Sequence, residues 1–347
     1  MKVDYIIIGL GLAGLAFCEQ LLKENKTFIV YEDNSQNSSL IAGGVYNPVI
    51  LKRFTPVWNA KKQLELALPF YESLAERFNT SLDYKFSIRK AFKSIEDQNN
   101  WFLALDKPEV AEFMNPKIIA QEIDGVVGDF GFGEVSGMGR VDTYQLVKLY
   151  RNYLMKRDCI RYESFDHEKI KFLEGRISYK EIEANKVIFC EGFGVKQNPF
   201  FNYLPLNEAK GETITIHAPN LNIDFLLKST LFVMPLGSDL YKVGATFDWK
   251  DKTSNTTEEG KKELKEKLKK VIDVPYVITD HTAGIRPTVK DRRPMIGVHP
   301  KYPELVVLNG LGTRGVMVGP TIAKQLFNHL EKGEKLDPET DIKRFNP

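Results

Sequence analysis

The sequence predicts an α/β protein in which a Rossmann-like dinucleotide-binding domain is interleaved with an α+β domain built on an antiparallel sheet. Three observations predict it. An isoleucine-rich run at residues 3–8 leads directly into Gly9-Leu10-Gly11-Leu12-Ala13-Gly14 and an amphipathic segment reaching about residue 26. Residues 211–216 and 240–246 alternate apolar with polar side chains, as half-buried antiparallel strands do. Near the other end, a second glycine-rich loop at residues 309–315 feeds another helical pattern.

The opening stretch carries the most information. Residues 3–8, broken only by Asp4, read as a buried parallel strand. In the G-x-G-x-x-G that follows, Gly9 permits the tight turn and Gly11 lets a pyrophosphate approach the backbone. Gly14 lets the helix pack close to the strand, so that its free N–H groups and positive end face the phosphates. A second strand at residues 28–31 ends at Glu32, where a carboxylate can accept from a ribose diol. Glycine pairs also occur in ordinary turns. Strand, glycines, helix, strand and acid in that order point to a dinucleotide site.

Composition bounds the rest. A chain of 347 residues with 43% hydrophobic content can build a sizeable core of one or two intertwined domains. A net charge of +2 gives no global pull toward nucleic acid or membrane. Cys18, Cys159 and Cys190 lie far apart without metal spacing, so no metal site is expected and a reducing compartment fits. No apolar run approaches the roughly 18–20 residues of a membrane span. The chain also starts on its first strand with no room for a signal peptide, so a cytoplasmic location is expected.

Residues 40–48, LIAGGVYNP, carry paired glycines after a small residue, which suits either backbone beside a bulky ligand or a plain turn. A helix is expected over 56–78, then strands and short helices over 80–140, then a helix over 144–156 capped by Asp142 or Thr143. Strand-like pieces follow at 160–165, 169–173 and 176–179, and a buried strand at 184–190 ends on Gly192 and Gly194. Cys190 in that strand reads as a small core residue. The run EEGKKELKEKLKK mixes its charges and reads as a solvated helix face. Two glycine-fed helix termini at opposite ends of one chain suit a long ligand charged at both ends, such as FAD.

At this point the chain resembles the FAD-dependent amino-acid and amine oxidase family, which includes D-amino-acid, sarcosine and glycine oxidases. The likeness covers nearly the full length in ordered blocks: GLGLAG with Glu32, SSLIAGGVYNP, NKVIFCEGFG, KGETITI, YKVGATF, GIRPTVKDRRPMIG and NGLGTRGVMVGPTIAKQL. SSLIAGGVYNP, the following helix with Phe70-Tyr71, and GTRG are also similar to the FAD domain of the bifunctional wobble-uridine tRNA-modifying enzyme. The resemblance implies an FAD-binding domain from residues 1–50, 140–200 and 283–347, and a substrate domain from 51–139 and 201–282. It implies non-covalent FAD held by Gly9, Gly11, Leu12, Ala13, Gly14, Glu32, Asp33, Ser39, Ala42, Gly43, Gly44, Val45, Phe165, Gly192, Gly310, Gly312, Thr313, Arg314, Gly315 and Val316.

It further implies that Arg286 projects over the flavin and holds a substrate carboxylate, a task that a bidentate guanidinium suits. His281, shortly before Arg286, is a weaker candidate for the site. The expected chemistry is oxidation of the C–N bond of a small amino acid or N-substituted amino acid by hydride transfer to flavin N5. Two departures put simple glycine in doubt: Phe232 stands where glycine oxidase has a tyrosine, and Thr313, beside Arg314, stands where it has a second arginine. The expected partner is a small amine or amino acid. A tRNA substrate, or a flavoprotein that only binds, are the alternatives.

Overall fold

The computed structural model describes residues 1–345. Two eight-stranded sheets organise the chain. In the first, the path runs Met295–Val298, Leu305–Asn309, Ile182–Phe189, Lys2–Ile8, Phe28–Tyr31 and Ile160–Arg161. The neighbours are parallel, except that Met295–Val298 runs antiparallel to Leu305–Asn309. A hairpin, Ile170–Leu173 with Arg176–Tyr179, extends it beside Ile182–Phe189.

Both faces of this sheet are covered, which is why its strands read as continuous apolar runs. Ile7 packs with Leu15 and Phe17 of the helix Leu12–Lys23 and with Ile322 and Leu326 of the helix Gly315–Lys332. Ile6 and Ile8 point the other way, into a cluster with Ile177, Phe189 and Phe201. The expected α/β class with a Rossmann-like sheet is what the chain adopts. Asp142 caps the helix Thr143–Lys156 by accepting from Gln145 N–H at 3.0 Å. The helix expected over 56–78 begins only at Ala60, because Thr55–Pro56 pairs with Val49–Ile50 instead. The strand expected at 160–165 is cut to two residues, Ile160–Arg161.

The second sheet runs Val277–Val289, Leu206–His217, Leu240–Gly244, Phe232–Gly237, Leu226–Lys228, Asp83–Ala91, Phe132–Val141 and Val45–Tyr46. It is antiparallel except where Leu226–Lys228 lies parallel to Asp83–Ala91. The strand Val277–Val289 passes unbroken through the boundary expected at 282/283, and Val45–Tyr46, inside the segment 1–50 expected in the FAD-binding domain, pairs in this second sheet. Ladder hydrogen bonds made far along the chain override local sequence at both places. One face of the sheet packs Ile214, Ile216, Val233 and Val243 against Leu264 and Leu268 of the helix Glu258–Leu268. Thr257 caps that helix through Gly260 N–H, and its lysines lie on the outer side, as the mixed charge run suggested.

Between sheet and helix sits a buried charge cluster. The Lys210 ammonium, 1% exposed, meets Asp251 and lies 3.6 Å from Glu212, which also accepts from Thr257 N–H and Oγ1. Lys210→Met leaves Glu212 buried beside no ammonium, and a loss of about 3 kcal/mol is expected. Thermal unfolding of the variant checks it, against Lys252→Met at an exposed pair as control.

Candidate active site

The first strand and helix meet at a turn set by two glycines. Gly9 has φ +89° and donates its N–H to Tyr31 O at 2.8 Å, which locks the turn onto the second strand. A Cβ on Gly14 would run into the Gly9 carbonyl, so the helix packs as close as a backbone allows. Gly11 caps that helix without a side chain, Leu12 N–H donates to Ser39 Oγ at 3.0 Å, and the first turn holds no acid. The positive end of the helix is therefore left for an anion.

Glu32, 5% exposed, is held from several sides. Its Oε2 accepts from Leu10 N–H at 2.6 Å, and its Oε1 accepts from Asn34 N–H at 2.8 Å with Arg151 Nη2 at 3.2 Å. A carboxylate offers about four acceptor directions, so one remains for a ribose. Glu32→Ala strands two N–H groups and a guanidinium. We expect at least about tenfold weaker FAD binding and about 2–4 kcal/mol lost stability, read by fluorescence titration of the apoprotein and by its melting temperature.

A cavity of about 1120 Å³ runs from this turn to the second sheet. Its walls bring together Gly9, Gly11, Leu12, Ala13, Glu32, Asp33, Ser39, Ala42, Gly43, Gly44, Val45, Phe165, Gly192, Gly312, Thr313, Gly315, Val316 and Arg286. Four expected residues do not line it. Gly14 and Gly310 act through backbone geometry, Gly14 in helix packing and Gly310 at φ +73° in the turn after Leu305–Asn309. Arg314 points elsewhere, its guanidinium lowered from its usual pKa by burial and by Arg292 and Arg293.

His281 is the fourth, and its position has a simple cause. In the strand Val277–Val289 it stands an odd number of residues from Arg286, so the two side chains leave opposite faces of the sheet. Arg286 faces the cavity. His281 Nε2 lies 2.8 Å from Glu212 Oε2 on the far face, a close contact not aligned as a hydrogen bond. The expectation that His281 joins the site is corrected.

Arg286 is the chemical centre of the far end. Its Nη1 reaches Lys210 O and Thr246 O only at 3.5 Å, and its guanidinium lies over the Phe247 ring at 4.3 Å. Among the described residues no carboxylate pairs with it, and burial lowers its pKa to about 10. Gly211, across the ladder, makes the room, since a Cβ there would collide with the guanidinium. Phe232 lines the cavity near Gly43, so an aromatic ring without a hydroxyl forms part of this end.

Several further residues shape the site without a local sequence pattern that marks them. Asn309 donates from Nδ2 to Gly192 O at 2.8 Å and accepts Gly310 N–H at 2.7 Å, tying two cavity loops together. His167 lies 3.0 Å from Glu191, whose other oxygen accepts from Asn198 at 2.7 Å. Cys190 does line the cavity, but burial drives its thiol pKa well up, in keeping with a packing role. Lys228 also lines it, the one charged residue in the mostly apolar FLLKSTLFV.

The donor set fits FAD: an anion seat without a competing acid, a buried carboxylate at the end of the second strand, and one long cavity joining both glycine loops. Residues 4–328 match the family described as DAO, FAD dependent oxidoreductase. The chain belongs to this family. As a DAO-family FAD-dependent oxidoreductase, it is 25% identical to glycine oxidase of Bacillus subtilis (strain 168), over 92% of this chain and 91% of that one. It is 22% identical to the tRNA 5-methylaminomethyl-2-thiouridine biosynthesis bifunctional protein MnmC of Marinobacter nauticus, over 94% of this chain but 55% of that protein. Among solved structures it resembles glycine oxidase from Geobacillus kaustophilus, with TM-score 0.79, 19% identity and 99% and 98% of the two chains covered. Iminodiacetate oxidase from Chelativorans sp. BNC1 gives 0.77 and 18%, over 99% of each chain. Among the described residues no helix is long and apolar enough to cross a membrane.

Proposed function

We propose that this oxidoreductase oxidises the C–N bond of a small amino acid or N-substituted amino acid, with Arg286 holding the substrate carboxylate. The observation that carries the reading is the Arg286 guanidinium itself: cavity-facing, desolvated, and without a carboxylate among the described residues. A buried cation left in that state invites an anion from the ligand.

The bound FAD supplies the two-electron acceptor for the hydrogen next to nitrogen. The chain's own residues position and exclude. Arg286 fixes the carboxylate, Gly211 leaves room for the guanidinium, Phe247 stacks on it, and Phe232 walls the space for the reacting carbon. No side chain of the second sheet that lines the cavity is an acid or a histidine, so the substrate amine enters already neutral. Water then hydrolyses the released imine to an oxo acid and an amine or ammonia. Phe232 in place of a hydroxyl favours an N-substituted or larger substrate over glycine.

Anaerobic mixing with a panel of amino acids, N-alkylamino acids and carboxymethylaminomethyl-uridine tRNA tests the reading. Bleaching of the flavin with stoichiometric oxo acid supports it. Bleaching by the tRNA alone would transfer the assignment to nucleoside modification, and bleaching by none would remove it.

A further inference from the structure

The half of the cavity formed by the second sheet holds a second cation that the reaction above does not use. Paired residues of neighbouring strands project from the same face, and here Thr213, Gly244, Phe232 and Lys228 form one row across four strands. All four line the cavity. Arg286 overlies Gly211, two residues along the strand from Thr213, so it stands at one end of this floor. Lys228 stands at the other, three strand spacings from Thr213 and four from the strand of Arg286, or about 14 and 19 Å between backbones. Two long side chains reaching inward narrow that gap to the length of a short ligand, with the Phe232 ring between them.

The charges around Lys228 are all of one sign. Among the described residues its ammonium makes no hydrogen bond and no ion pair. Burial above all, then Lys90 on the adjacent strand, Lys93 beyond it and Lys267 on the helix behind the sheet, disfavours its charge, and Lys90 itself is turned to Asp97 at 3.5 Å. Every carboxylate that lines the cavity (Glu32, Asp33, Glu163, Glu191) belongs to the nucleotide end. The floor therefore offers two cations and no anion.

We propose that the substrate is an amine bearing two anionic groups, one held by Arg286 and the second by Lys228. This rests on the amine-oxidising reading for the reaction, but the dianion site stands on the geometry of the floor. The substrate class is then an acidic amino acid or an N-carboxyalkyl amino acid, and Lys228 is its specificity-determining residue.

Binding and turnover separate the two claims. Inert acids are titrated into the FAD-loaded protein by flavin absorbance: succinate against butyrate, and glutarate against pentanoate. We expect the dicarboxylate to bind about 30-fold tighter or more, with the ratio falling below about threefold in Lys228→Met and surviving in Lys228→Arg. The ratio also fades above about pH 8, where Lys228 loses its proton, whereas monocarboxylate binding to Arg286 lasts to about pH 10. Equal binding of both acids by the wild type overturns the proposal, as does a ratio that Lys228→Met leaves intact. Anaerobic reduction by aspartate against 2-aminobutyrate, and by iminodiacetate against N-ethylglycine, supplies the kinetic arm. A dicarboxylate preference without bleaching by any amine keeps the dianion site and defeats the oxidase reading. Bleaching without the preference does the reverse.

Discussion

Replacing Arg286 by methionine is expected to raise the Kd of a carboxylated amine by about 10²–10³-fold, the equivalent of about 3–4 kcal/mol. Methionine keeps a stem of similar bulk in the space that Gly211 provides, so the cavity stays filled while the charge goes. A substrate carboxylate would then be desolvated with no partner, which is why the loss exceeds that of a surface ion pair. Arg286→Lys restores only part of it. An ammonium is a point charge, without the planar fork that fixes a carboxylate through two bonds. Stopped-flow flavin reduction over a range of substrate concentrations separates the binding loss from any change in the limiting rate. A Kd within threefold of the wild type in Arg286→Met would remove the assigned role.

The second large effect is expected at the other end of the cavity. Gly14→Ala places a methyl group against the Gly9 carbonyl and 3.2 Å from the Gly9 carbonyl carbon, with the Cys190 Cβ at 3.5 Å. These neighbours are mainly backbone, so no rotamer change relieves the clash and the helix must move off the strand. Overpacking of this kind costs about 1–3 kcal/mol. The same movement withdraws the helix terminus and Leu10 N–H from their places around Glu32 and the phosphates. We expect FAD affinity to fall about 100-fold and the protein to purify largely as apoprotein, as its visible spectrum and melting temperature report. Full FAD content and an unchanged melting temperature would contradict the close packing described here.

These two ends of the site differ in how far the sequence reveals them. The nucleotide end is built from consecutive residues. Strand, Gly9, Gly14, helix, strand and Glu32 follow one another, and each local preference agrees with the final fold. The loops at Ala42 to Val45 and Gly312 to Val316 are likewise legible because glycine and helix-start patterns are local. The substrate end is assembled by ladder pairing among strands far apart in sequence, and that pairing leaves little local trace. Arg286 is legible through a motif, yet its unpaired state depends on Gly211 on the neighbouring strand and on Phe247 in the loop after Leu240–Gly244. His281 falls outside the site because its segment is a strand, with little local trace of it, and an odd spacing from Arg286 sends it to the far face. Lys228 lies in a three-residue strand too short to show a period. The one available hint is a single charge inside a mostly apolar segment. The strand Val277–Val289 similarly crosses an expected domain boundary because its twelve-pair ladder is set by Leu206–His217.

The claim on which the rest depends is that a substrate carboxylate meets Arg286 beside the flavin. Its most direct test is anaerobic single-turnover reduction of the FAD-loaded protein by amines matched in all but the carboxylate: N-ethylglycine against diethylamine, and aspartate against 3-aminopropanoate, which lacks the α-carboxylate. The amines with an α-carboxylate are expected to bleach the flavin at least about 100-fold more efficiently, and Arg286→Met to abolish the difference. Equal bleaching by both members of each pair would contradict it.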